Sequence, residues 1–139
     1  MFAVYAAEPN ATDPLAALVV GERPEPEAPA GWLTVRTKAA SLNMHDLWTL
    51  RGVGLKPEQY PMILGGDAIG TLPDGTDVVL YPVIGDPGWS GDETLDPRRT
   101  LLTEKHQGTF ADVVVVPERN VLPIPAGLAP RTAAVLGTA

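Results

Sequence analysis

At 139 residues the chain is long enough to bury one sizeable core and short for two. Its 14 glycines and 15 prolines interrupt helices too often for a helical bundle, while a hydrophobic content of 45% argues against disorder. A net charge of −7 without a basic patch excludes a general nucleic-acid or anionic-membrane surface, and zero cysteines exclude disulfides, thiolate zinc sites, iron–sulfur clusters and cysteine nucleophiles.

Residues 2–6 and 15–20 read as short strands on either side of a turn-rich stretch containing Pro9, Asn10, Asp13 and Pro14, and are expected to pair antiparallel. Residues 23–29 alternate proline with charge, which removes ladder donors and favours an extended connector. In the segment 32–42, Leu33, Val35 and Thr37 share one face and Thr34, Arg36 and Lys38 the other, the period of a half-buried strand. The period changes at Asn43, where Met44, Leu47, Trp48 and Arg51 recur three or four apart. Asn43 is placed to cap a helix of one to two turns and Gly52 to stop it. Trp48 and Trp32 are expected in the core.

Further strands are expected at 68–72, 77–83, 110–116 and 120–124, the first two joined by the turn Pro73-Asp74-Gly75-Thr76. Residues 84–108 show no sustained period and read as a long loop, with His106 in solvent. Trp89, in a stretch where no core is expected, is read as a cover for a substrate or a partner surface. Residues 129–136 look like the first turns of a helix with an early proline, and its missing stop suggests a longer polypeptide. No apolar run approaches the roughly 20 residues that span a bilayer, and no signal peptide is apparent, so a soluble cytoplasmic protein is expected.

Two junctions gather polar side chains among small residues. Asn43, His45 and Asp46 sit where the strand 32–42 turns into a helix, and free backbone N–H groups there attract an anion or a polarised oxygen. Gly65, Gly66 and Asp67 place a carboxylate at the start of the next strand. Each also has a plain local role: Asn43 as a cap, Asp46 as a first-turn carboxylate, Asp67 as a buried tie to the core. A metal held by His45, Asp46 and Asp67 would have too few nitrogen ligands for zinc. Asp67 stands where the middle glycine of a dinucleotide fingerprint over 65–70 would be, and a strand follows rather than a helix. The chain by itself is therefore not expected to hold NAD(P)H tightly.

Four stretches in order, Val35 to Asp46, Pro61 to Gly70, Gly108 to Pro117 and Pro125 to Ala134, resemble the N-terminal GroES-like catalytic domain of the medium-chain dehydrogenase/reductase superfamily. The likeness is to its zinc-free, quinone-oxidoreductase-like side and covers nearly the whole chain. It implies a mainly β fold over 1–139, a GroES-like partly open barrel of short, mostly antiparallel strands with short helices. Zinc-dependent members carry a cysteine at the position of Asn43 and Gly-His-Glu at Gly65-Gly66-Asp67, so the resemblance implies no zinc here. Their four-cysteine lobe is replaced by residues 84–108.

The resemblance also implies a function. Members continue, past a helix that begins near Ala133 and Ala134, into a Rossmann domain that grips the dinucleotide, and such a domain is expected after residue 139. The implied cofactor is NADPH or NADH, with Asn43, Met44, Asp46 and Thr138 lining the cleft beside it. His45 would donate a proton to the oxygen that gains charge, and Asn43 would present its amide to a substrate carbonyl. The expected activity is hydride reduction of a quinone or an α,β-unsaturated carbonyl by a full-length homodimer, this piece alone being inactive. The alternative is a non-enzymatic GroES-like module that binds a partner or serves as a scaffold.

Overall fold

The computed structural model describes residues 1–138. β1 (Phe2–Ala6) pairs antiparallel with β2 (Leu18–Glu22), Phe2 facing Glu22 and Ala6 facing Leu18. The second strand begins later than the hydrophobic run at 15–20. Pro14, with a fixed φ and no N–H, opens a 3₁₀ turn over Pro14–Ala17 and points Ala17 into the core instead. β3 (Trp32–Ser41) follows the proline-rich connector and leads into α1 (Met44–Arg51), two turns whose start is tied by Asp46 Oδ2 accepting the Asn43 N–H at 2.8 Å. Gly52 stops α1 in the left-handed region at φ 84°, where a side chain would also strike Pro9.

β4 (Met62–Ile63) joins the edge of β1, and β5 (Asp67–Thr71) turns through Pro73 and Gly75 into β6 (Asp77–Leu80). The expected strand 77–83 is split, because Pro82 cannot donate to a ladder. Val83 and Ile84 form β7 (Val83–Ile84), which pairs with β8 (Thr100–Leu101). β9 (Val113–Pro117) starts later than expected, since residues 110–112 bond across the barrel: Val4 N–H reaches the Phe110 carbonyl at 2.8 Å and Asp112 N–H the Phe2 carbonyl at 3.0 Å. β10 (Val121–Pro123) follows, and α2 (Pro130–Ala133) is one turn where residues 129–136 were expected to be helical. Beyond it the bonds tighten to Val135 on Thr132 and Leu136 on Ala133, a run of turns.

These strands form a five-stranded antiparallel sheet in the order β10-β6-β5-β3-β9, curled into a partly open barrel, with β2-β1-β4 against it. A register shift between Thr37 and Ala39 interrupts the β3–β5 ladder, the kind of irregularity that bends a strand. Inside the curl, Val35, Ala68, Val78, Leu80, Val114 and Val116 make the main core. Ile69 and Val79 point the other way and meet Ala133 and Ala134, so β5 is buried on both faces and its sequence cannot alternate. A third cluster of Ala6, Ala17, Leu50 and Leu64 docks α1 on the β1–β2 hairpin. Among the described residues no helix is long and apolar enough to cross a membrane.

Candidate functional site

The polar centre is Asp67, 1% exposed, at the first position of β5. Its Oδ2 accepts the Ser41 hydroxyl at 2.6 Å and Asn43 Nδ2 at 2.9 Å, and its Oδ1 accepts the Thr138 hydroxyl at 2.5 Å. Three segments distant in sequence thus meet on one carboxylate. Gly137 makes the approach possible: a Cβ there would lie 2.6 Å from Asp67 Oδ1 and 2.9 Å from Pro82 Cδ. The buried Thr109 hydroxyl fastens the Asp67 carbonyl at 2.9 Å.

Asp46, 5% exposed, lies behind this centre. Its Oδ2 accepts the Asn43 N–H and its Oδ1 the Gly65 N–H, both at 2.8 Å, so it fastens the two polar junctions to each other. Burial raises its carboxyl above the usual carboxylate range, against the pull of those two N–H groups and of His45.

In front of the carboxylates a cavity of about 580 Å³ opens between α1, residues 82–83, residues 101–102 and the chain's last described turn. Four residues singled out in the sequence, Asn43, Met44, His45 and Thr138, stand on its wall together. Asp46 does not: both its oxygens are committed to backbone N–H groups, and it supports the wall from behind. His45 Nε2 is shut off from solvent without a hydrogen-bond partner, and the ring stands edge-on to Trp48, 6.2 Å between centroids.

Sequence reasoning missed the apolar part of the wall, formed by Trp48, Pro82, Val83, Leu101 and Leu102. Trp48 was expected in the core and is 46% exposed. α1 buries Leu50 with Leu47 packed beside it, and its other apolar stripe, Met44 and Trp48 one turn apart, faces the cavity. That second stripe was the available signal. Trp89 is not on this wall; its indole N–H is bound to the Asp92 carbonyl at 2.9 Å within its own loop. His106, expected in solvent, is half-buried with its ring 5.0 Å from Trp32, and burial, followed by Lys105, holds its imidazole below the ordinary value.

The sequence matches the model of the alcohol dehydrogenase GroES-like domain over residues 29–126, and the chain belongs to that family. Among solved structures, an NAD-dependent alcohol dehydrogenase shares 33% identity over 99% of this chain and 43% of its own, with a TM-score of 0.86. The quinone oxidoreductase from Thermus thermophilus, described also in its complex with NADPH, shares 28% over 96% of this chain and 36% of its own, with a TM-score of 0.64. A cobalt- and zinc-bound thermostable alcohol dehydrogenase from Pyrobaculum aerophilum has the same fold, with a TM-score of 0.84 at 23% identity over 99% of this chain and 44% of its own. The chain spans less than half the length of each. No curated protein matches it.

Zinc does not fit the residues at this site. Among the described residues no three His, Cys, Asp or Glu side chains are grouped to hold a metal. Asn43 and Gly66 offer neither thiolate nor imidazole, and the oxygens of Asp67 already accept three donors.

Proposed function

We propose that this chain is the substrate-side half of a zinc-independent NAD(P)H-dependent oxidoreductase, whose full-length form reduces a quinone or an α,β-unsaturated carbonyl. The observation that carries this reading is the wall of one largely apolar cavity, on which His45, Asn43 and Thr138 stand together with Trp48, Leu101 and Leu102. With no zinc set to polarise an alcohol, the cavity suits a conjugated electrophile, which needs only a proton donor where charge develops.

When bound, NAD(P)H supplies the hydride. Asn43, Met44 and Thr138 would form the wall it meets on this side, and a glycine-rich turn in a further domain would grip its phosphates. Asn43 Nδ2 donates to Asp67 at 2.9 Å and only weakly to Ser41 Oγ at 3.4 Å, a contact that a substrate carbonyl would replace. His45 delivers the proton that neutralises the reduced product. Met44, Trp48, Leu101 and Leu102 exclude water around the ring.

The test is turnover by the full-length protein with NADPH or NADH and a panel of benzoquinone, an enone and a primary alcohol. Quinone or enone reduction is expected, unchanged by a chelator and lowered about 100-fold in kcat by His45→Gln. Turnover of the alcohol alone, or loss of activity on chelation, overturns the reading. The 139-residue chain by itself is expected not to saturate with micromolar NADPH, and saturation would move the cofactor grip into this domain.

A further inference from the structure

A second cavity, of about 460 Å³, lies beneath the proline-rich connector, away from the site above. Its origin is legible in β9. An edge strand with one core face normally alternates apolar with polar residues, but here Val113, Val114, Val115 and Val116 are consecutive. Val114 and Val116 fill the main core. Val113 and Val115 point to the opposite face and floor the second cavity.

The cover comes from Pro24, Pro26 and Pro29. Prolines at this spacing hold an extended strap that has few donors to offer β9, so the strap passes over the valines without pairing and leaves a gap. Trp32 and His106, 5.0 Å apart between ring centroids, close one wall.

The charged lining is one-sided. Among the described residues it contains Arg23 and Lys105 and no carboxylate, in a chain whose net charge is −7. Arg23 is steadied by its guanidinium lying 5.1 Å over the Tyr5 ring. Of the neighbouring acids, Glu22 turns to the Met1 amino group at 3.3 Å and Glu104 to the Thr100 hydroxyl at 2.9 Å and the Leu101 N–H at 3.0 Å. The strap's own Glu25 and Glu27 are not on this lining, Glu25 lying on a separate cavity with Thr34 and Arg36. Gln107 is likewise spent, accepting the Ile63 N–H at 2.7 Å and donating to the Pro61 carbonyl at 3.3 Å.

We propose that this cavity binds a small arylalkanoate, its ring between the valine floor and Trp32 and its carboxylate turned to Arg23 and Lys105. The volume falls within the roughly 300–1,000 Å³ of small-ligand clefts. Apolar walls provide the area that holds a ring, and two cations without a competing acid select the charge. The inference is independent of the oxidoreductase reading.

The probes are 3-phenylpropionate and its uncharged amide, titrated into the 139-residue chain and followed by NMR. The acid is expected to give saturable shifts at Trp32, His106, Val113 and Val115, and to bind at least about tenfold more tightly than the amide. The Arg23→Gln/Lys105→Gln double variant is expected to bring the acid down to the amide's affinity and leave the amide unchanged. Should that variant lose its folded spectrum, the acid-to-amide ratio of the unaltered chain decides alone. The proposal is overturned by no saturable shift up to about 10 mM, by equal affinity for acid and amide, or by shifts centred on Met44, Trp48 and Thr138.

Discussion

Asp46 and Asp96 each accept two backbone N–H bonds, Asp46 from Asn43 and Gly65 at 2.8 Å and Asp96 from Asp86 at 2.6 Å and Arg98 at 2.8 Å. Their carboxyl groups nevertheless move in opposite directions. Burial raises Asp46 despite its donors, whereas the Asp86 N–H, followed by the Arg98 N–H and charge, holds Asp96 below the usual carboxylate range. Asp96 has little exposed surface of its own, but what covers it is a thin loop of exposed residues rather than the core. The number of donors therefore does not set the direction; the depth of surrounding protein does. Around Asp46 and Asp67 the carboxylates belong to the global fold. In the loop, Asp96 and the Arg98–Asp86 pair at 3.0 Å are local staples.

The strongest way to sharpen this contrast is Asp67→Ala. It strands the Ser41, Asn43 and Thr138 donors together and is expected to cost about 3 kcal/mol or more, read from urea unfolding. Asp46→Ala leaves two N–H groups without acceptors, one of them at the start of α1, so about 2 kcal/mol is expected in the same measurement. Asp96→Ala should leave the unfolding midpoint nearly unchanged and instead speed amide exchange over residues 85–99. If it destabilises the chain as much as Asp46→Ala does, the division between global and local carboxylates fails.

The smallest effects lie in pH dependence and carry opposite signs. Asp46, with its folded value raised, contributes most when protonated. The advantage of the native chain over Asp46→Asn should therefore grow as pH falls from neutral toward about 4. Asp96, with its folded value lowered, contributes above the ordinary carboxylate value, and its advantage over Asp96→Asn should shrink as pH falls below about 4. Melting curves of both pairs across this range test the mirror image, and parallel slopes would contradict it. His106 adds a third slope. Burial lowers its imidazole, so stability should decline as pH drops below about 6.5, and less so in His106→Gln.

Much of the fold is legible in short-range rules. The alternation of Leu33, Val35 and Thr37 marks β3, Gly52 ends α1 in the conformation glycine favours, and the breakers around Pro73 and Gly75 make the β5–β6 turn. Where the expected elements shifted, a proline or a distant partner intervened: Pro14 delayed β2, Pro82 divided the strand 77–83, and the barrel closure at residues 110–112 drew them away from β9.

The candidate site divides along the same line. Asn43, His45 and Asp67 stand out in the sequence because a strand-to-helix junction and a glycine-flanked carboxylate are local patterns. That Trp48 faces a cavity while Leu50 faces the core depends on where the β1–β2 hairpin lies against α1. Likewise, Asp67 gathers Ser41 and Thr138 only because the barrel folds residue 138 back onto the start of β5. The sequence by itself determined backbone punctuation, strand period and the chemistry available, since these act across a few neighbouring residues. Tertiary structure alone decided which carboxylate is desolvated, which apolar stripe is wet and which donors converge, because burial is set by chain segments tens of residues apart.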